Sequence, residues 1–334
     1  LTEHSKIEQL FHTLDEMATA ISEEHTYTYL DALAEAGDIL YQGLAQQSFS
    51  DTVQEKIKRL LADVPKGQLD REVVRKAFQL AILKGMKENV QPHHAMTPDG
   101  VAFFVSYLLK KLIGEEQNIR LFDPAMGTAN LLTAILNETD QVDGAIGAEV
   151  DDALVRIAFA MANLQRHTLQ ILQMDSVSQR GLPEVDVIVS DLPAGYYTND
   201  EVVADFQTRP EEGRMPAEYA IFENAWKALK QSGFAIFLIP NTMFTREGAE
   251  ALHKFVKNEA VTLGLLQLPQ SMFKNDQYAK SIWLLQKNGP GVQAPPQALF
   301  AELPSFTRAE ALSDMIKGIN EWFEQFFNPA GKRP

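Results

Sequence analysis

After the segment "NVQPHHAMTPDG", short apolar runs alternate with helix-like stretches, and four successive runs end in an acid. "IRLFD" closes on Asp123, "GAIGAEV" carries Glu149, "LQILQMD" closes on Asp175 and "VDVIVSD" on Asp191. Strands buried on both faces read as continuous apolar runs, and their alternation with helices builds parallel βαβ units. "FAIFLIP" supplies a fifth strand. "VTLGLLQLP" and "KSIWLLQK" follow with no convincing helix between them, which predicts an antiparallel pair closing the sheet edge. The expected fold is α/β: a Rossmann-like, doubly wound, mostly parallel seven-stranded sheet with an antiparallel last strand.

Ahead of this pattern, residues 1–90 have a helical period. "KIEQLFHTLDEMATAI" places Ile7, Leu10, Phe11, Leu14, Met17, Ala18 and Ile21 on one face, and three further segments repeat the period. The expected division is a helical domain over 1–90, an α/β domain over 91–290, and a Pro-rich linker with a C-terminal helix over 291–334. In that tail Trp322, Phe323, Phe326 and Phe327 have the spacing of a packed helix face or of a dimer contact.

Composition narrows the function. The net charge of −15 gives the chain no general grip on nucleic acid, because sequence-independent affinity comes from Lys and Arg neutralising phosphates. Weak, salt-sensitive binding by the isolated chain is expected. With no cysteine there is no disulfide framework and no thiolate site, and the adjacent His93–His94 lacks metal-ligand helical spacing, so no metal is expected. No apolar window is long enough to span a membrane, and the first residues are polar and periodic, unlike a signal peptide. A cytoplasmic protein is the expectation.

In a doubly wound sheet, ligands bind beyond the carboxyl ends of the strands. The turn "DPAMGTANLL" leads from Asp123 through Gly127 into a helix whose first N–H groups suit a polar or anionic ligand. It lacks the G-x-G-x-x-G fingerprint, with Ala129 where a second glycine would admit a pyrophosphate, which disfavours a nicotinamide dinucleotide. Glu149 stands 26 positions after Asp123, in the region where dinucleotide folds place a ribose-binding acid. Four strand-end acids suit a ligand with a ribose, an exocyclic amine and a cationic centre.

"TPDGVAFFVSYLL", "FDPAMGTANLL", "GAEVDDALVRIAFAMANL", "QMDSV" and "VSDLPAGYY" resemble, in order and spacing, the motifs of class I S-adenosylmethionine-dependent methyltransferases. The resemblance is nearest to N6-adenine DNA methylases related to type I modification subunits, within them to the stand-alone Firmicute branch called the YtxK family. It implies S-adenosyl-L-methionine as cofactor and adenine in nucleic acid as the foremost substrate, with a protein amide or amine also open. It implies that Thr97 and Pro98 lie against the methionine end of the cofactor and that Asp123, Pro124, Ala125 and Gly127 cradle its amino-acid part. Glu149 is implied for the ribose, Val150 for packing on the adenine, and Asp175 with Ser176 for the adenine amine. Asp191 and Pro193 fall on the catalytic loop.

An adenine amino nitrogen is a poor nucleophile because its lone pair is delocalised into the ring. A side-chain acceptor and a backbone carbonyl beside a proline can take its two N–H bonds, and an aromatic ring can stack on the flipped base. Here Leu192 replaces the first proline of the implied pattern and Ala194 stands at the aromatic position; Tyr196 or Tyr197 is the available substitute. "EEGRMPAEY" reads as a loop over the pocket in which Arg214 could meet an anion. Two readings stay open: a methyltransferase using Asp191, Pro193 and Tyr196, or a regulatory module that binds the cofactor without transfer. No target-recognition domain is visible, and a homodimer is an open alternative.

Overall fold

The computed structural model describes residues 2–44, 49–65, 67–88 and 96–327. Ten α-helices and eight strands are present among them. The helices are α1 (Glu3–His25), α2 (Tyr29–Gln42), α3 (Asp51–Ala62), α4 (Arg71–Glu88), α5 (Asp99–Ile113), α6 (Asn130–Glu138), α7 (Asp152–Gln165), α8 (Ala217–Ala228), α9 (Glu250–Glu259) and α10 (Ala309–Phe326). The strands are β1 (Ile119–Asp123), β2 (Val142–Glu149), β3 (Leu169–Gln173), β4 (Val185–Asp191), β5 (Leu229–Pro240), β6 (Ala260–Gln267), β7 (Lys280–Lys287) and β8 (Leu299–Glu302). They form one sheet in the order β3-β2-β1-β4-β5-β7-β6-β8.

Each expected strand is present, and β8 is an addition to the seven. It runs parallel to β6 and takes the sheet edge, so the antiparallel β6–β7 pair is not terminal: β7 lies between β5 and β6, antiparallel to both. β4 pairs in parallel with β1 on one side and β5 on the other.

By compactness the chain divides into Leu1–Thr97 with Met126–Asp140 and Ala145–Met174, and Pro98–Ala125 with Gln141–Gly144 and Asp175–Pro334. In the first unit, α1 to α4 start at residues whose side chains accept from the first-turn amides: Thr2, Thr28, Ser50 and Asp70. Such caps each stabilise a helix by about 1 kcal/mol. The shared core includes Leu14, Met17, Ile21, Leu33 and Phe78, with Ile157 and Met161 of α7 packed among them. Gly37 of α2 permits this approach, since a Cβ there would stand 2.7 Å from that of Ala160.

In the second unit, Phe222 and Trp226 of α8, Phe237 of β5, Phe255 of α9 and Trp283 of β7 form a ring cluster under the sheet, with centroids 5.3–5.8 Å from Phe222. Trp322 and Phe323 of α10 are buried, and the indole N–H of Trp322 donates to the Gln297 carbonyl at 2.8 Å. Trp322 and Phe323 are therefore packed helix face, while Phe326 is half-buried and Phe327 follows the end of α10. No helix among the described residues is long and apolar enough to cross a membrane.

Candidate active site

In the first unit, the turn before α6 is fixed by backbone and by one glycine. The Met126 N–H donates to the Ala148 carbonyl at 3.0 Å. The Met126 side chain lies on Gly147, where an added Cβ would meet its Sδ at 2.2 Å, so β2 needs glycine there. Gly127 has φ +55°, a left-handed backbone that favours glycine, and the space where its Cβ would project is open to 4 Å. Ala129, also left-handed at φ +62°, starts α6 without a side-chain cap.

The Gly127 N–H donates to Oε2 of Glu149 at 3.0 Å. Oε1 of Glu149 accepts from the amides of Val150 at 2.8 Å and Asp151 at 3.0 Å. A carboxylate offers about four accepting positions, so these three amides leave one, on Oε2. Val150, next in chain, is an apolar side chain 62% exposed. Thr97 is buried, and its carbonyl accepts from Asn130 Nδ2 at 3.0 Å, while Asn130 Oδ1 accepts from the buried Arg75 at 3.1 Å.

In the second unit, Pro98 starts α5. Asp123 is buried, and its Oδ1 accepts from the Ala125 amide at 3.0 Å and the Ser190 hydroxyl at 2.7 Å. Its carboxylate therefore braces the start of its own turn, and it is joined to the residue just before Asp191. Pro124 is buried beside it. Asp175 accepts from the Val177 amide at 2.9 Å through Oδ1 and from the Tyr197 hydroxyl at 2.5 Å through Oδ2. Burial, then the hydrogen bond and charge of Asp175, push the Tyr197 phenol well above its ordinary value, so it remains a donor. Asn224 of α8 donates to the carbonyls of Ser176 at 2.6 Å and Gln179 at 2.9 Å, fixing the turn after β3.

The loop after β4 is held on both sides. The Leu192 amide donates to the Leu238 carbonyl at 3.0 Å, Ala217 donates to the Gly195 carbonyl at 3.1 Å, and Tyr197 donates to the Met215 carbonyl at 2.9 Å. Tyr196 pairs with Pro216, and its ring, 54% exposed, lies 4.8 Å from the Arg214 guanidinium. Pro193 is half-buried and Ala194 exposed. Lys280, first residue of β7, donates to Asp191 Oδ1 and, at 3.2 Å, to the Leu192 carbonyl. Close by in charge is the buried Glu218, 2.9 Å from Arg246: burial pushes its carboxyl up, and Arg246 and Lys280 oppose that.

Gly127 is thus joined to Glu149, Asp123 to Ala125, and Asp175 to the loop after β4 through Tyr197, the tyrosine that meets a strand-end acid. Ser190 and Lys280 carry no signal in the sequence, because their partners lie 67 and 89 residues away. His93 and His94 lie outside the described residues.

Residues 8–86 match the YtxK N-terminal helical domain, and residues 95–318 match the N-6 DNA Methylase family. Over 319 residues the chain is 39% identical to Bacillus subtilis (strain 168) "Uncharacterized protein YtxK", covering 95% of this chain and 97% of that one. A Listeria monocytogenes protein described as a candidate class I S-adenosylmethionine-dependent methyltransferase superposes with a TM-score of 0.88 at 36% identity, over 96% of this chain and 99% of that one. The type I restriction-modification methyltransferase subunit of Streptococcus thermophilus shares the fold, with a TM-score of 0.66 at 16% identity over 91% of this chain and 73% of that one.

Proposed function

The chain belongs to the N-6 DNA methylase family, and from that premise we propose that it binds S-adenosylmethionine and transfers the methyl group to a planar amine or amide, adenine in nucleic acid foremost. The observation that carries the cofactor half is Glu149: three backbone amides aim its carboxylate and leave one accepting position. That remaining position suits a ribose hydroxyl.

The other side chains fit the same group. Gly127 leaves open space beside its backbone, as a cradle for an amino-acid moiety requires. The exposed Val150 offers an apolar surface to a flat ring, and an adenine face is such a partner. Asp175, oriented by Tyr197, accepts from the adenine amine, with Ser176 beside it. Thr97, Pro98, Asp123, Pro124 and Ala125 take the methionine end. The cofactor, when bound, supplies a methyl group on a cationic sulfur. Asp191 and the Leu192 carbonyl, ahead of Pro193, accept the N–H bonds of the substrate amine and draw its lone pair out of conjugation. Once methylated the nitrogen is cationic, and it releases its proton to water. Tyr196 provides an aromatic face near the altered Ala194 position. On this reading the protein acts in the cytoplasm on a nucleic-acid or protein substrate that it binds weakly when alone.

A second reading, a regulatory module that holds the cofactor, is favoured by one observation: Ala194 is exposed and supplies no ring to stack on a base, a contact worth about 1–3 kcal/mol. The test is calorimetry with S-adenosylmethionine, followed by labelled methyl transfer to total nucleic acid and cell protein by wild type and Asp191→Ala. The proposed function requires cofactor binding by both and transfer by wild type alone. Equal transfer by both removes Asp191 from the chemistry; binding without transfer by either establishes the module.

A further inference from the structure

The ammonium of Lys280 stands where the Asp191 carboxylate and the Leu192 carbonyl converge, and it donates to both. The register of the sheet brings them there: Asp191 is level with Leu238 on β5, and Lys280 is level with Pro240 two residues further along. The lysine stem therefore crosses the end of β5. Both side chains are largely removed from water, at 19% exposure for Lys280 and 16% for Asp191. Withdrawing the ammonium would strand a carboxylate with little solvent, which is strongly unfavourable, so the pair behaves as a unit.

The unit has no net charge, and that matters for an amine acceptor. A bare carboxylate attracts a protonated amine, whose nitrogen has no lone pair with which to accept a methyl group. A neutralised carboxylate favours an uncharged amino group such as that of a nucleobase. One ammonium does not exhaust the pair, since a carbonyl oxygen has two lone pairs and a carboxylate about four accepting positions. Resting on the function proposed above, we infer that Lys280 is a positioning residue for methyl transfer. It neutralises Asp191 and turns the carboxylate and the Leu192 carbonyl toward one point, making the loop selective for neutral planar amines.

The test compares wild type, Lys280→Met and the double variant Asp191→Asn with Lys280→Met. Each is assayed with labelled S-adenosylmethionine on adenine-containing DNA, total RNA and cell protein. Lys280→Met is expected to lower kcat by about 10- to 100-fold, the cost of a misplaced acceptor, with the KM for the cofactor unchanged. The double variant presents a neutral amide acceptor that needs no cation, and is expected to regain most of the lost rate. A packing role for the lysine predicts no such rescue. Lys280→Met at the wild-type rate, or a double variant as slow as Lys280→Met, overturns the inference. Should Lys280→Met not fold, the double variant, which buries neither charge, decides alone: a rate near wild type supports the inference and a rate near zero overturns it. Failure of the underlying function is seen separately, as a wild type that labels none of the three acceptors.

Discussion

The phenol of Tyr197 donates to the carboxylate of Asp175 at 2.5 Å, tying the loop after β4 to the turn after β3. The residue proposed to read the adenine amine is thereby oriented by the loop proposed to hold the substrate. Tyr197→Phe keeps the ring and removes the donor. One hydrogen bond to a charged group, discounted for partial exposure, is worth about 1 kcal/mol, so cofactor affinity is expected to fall about three- to tenfold. Calorimetry with S-adenosylmethionine measures it. Unchanged affinity would mean that Asp175 needs no orientation from this loop.

Gly127 separates a folding cost from a binding cost. A side chain at φ +55° costs about 1–2 kcal/mol in backbone strain. Its Cβ meets nothing within 4 Å, so the fold has room for it. Gly127→Ala is therefore expected to remain folded, with a modest drop in urea midpoint, while a cofactor seated in the open space loses more than about tenfold in affinity. Binding reduced only in line with stability would move the cradle elsewhere.

Glu149→Gln tests the ribose assignment more sharply than truncation, because the side chain keeps its length. Three amides point at the carboxylate, and a carboxamide must turn its NH2 toward at least one of them. Loss of one or two charge-assisted bonds, about 1.5–3 kcal/mol each, is expected to weaken cofactor binding at least about tenfold and to lower stability. Native-like affinity for the cofactor in this variant would sink the role given to Glu149.

β1, β4, β5 and β7 were legible because each is a short apolar run buried between neighbours, and burial on both faces leaves that mark in any order of pairing. β3, at the sheet edge with no buried residue, was legible only from Leu169, Ile171 and Leu172 ahead of an acid. The helical N-terminal segment was legible for the equivalent reason, a 3.6-residue period. β8 was not: four residues at the edge after a proline-rich stretch, with Phe300 exposed, carry no pattern that separates them from loop. In the site, the acids announced themselves by ending strands, but their partners did not. Ser190 meets Asp123 because β1 and β4 are adjacent, and Lys280 meets Asp191 because β5 lies between β4 and β7 in a particular register. Such pairings are properties of strand order and offset, which no local window of sequence contains. The same holds for Arg214 on Tyr196: the sequence offers a cation and a ring, and only the pairing of Tyr196 with Pro216 stacks them.

His167 gives the first unit a pH response that can be assigned to one side chain. Its Nε2 lies 2.6 Å from Asn137 Oδ1, and Asn137 Nδ2 is already spent on Glu72 at 2.6 Å and Gln165 at 3.0 Å. Asn137 therefore presents its oxygen, and the imidazole donates from Nε2. Burial, helped by the charges of Arg71 and Arg166 and opposed by Glu72, lowers the folded-state pKa from 6.5 to about 4. Between those values the unfolded chain binds a proton that the folded chain refuses, so this residue's contribution to stability falls as pH drops through that window. The ring is partly exposed, and solvent screening makes the loss smaller than the full shift implies. Urea unfolding of wild type and His167→Gln at about pH 7 and about pH 5 isolates the effect, because the carboxylates common to both proteins cancel. Wild type is expected to lose more stability on acidification than the variant does. Equal losses would show that the protonated imidazole is as well accommodated in the fold as the neutral one.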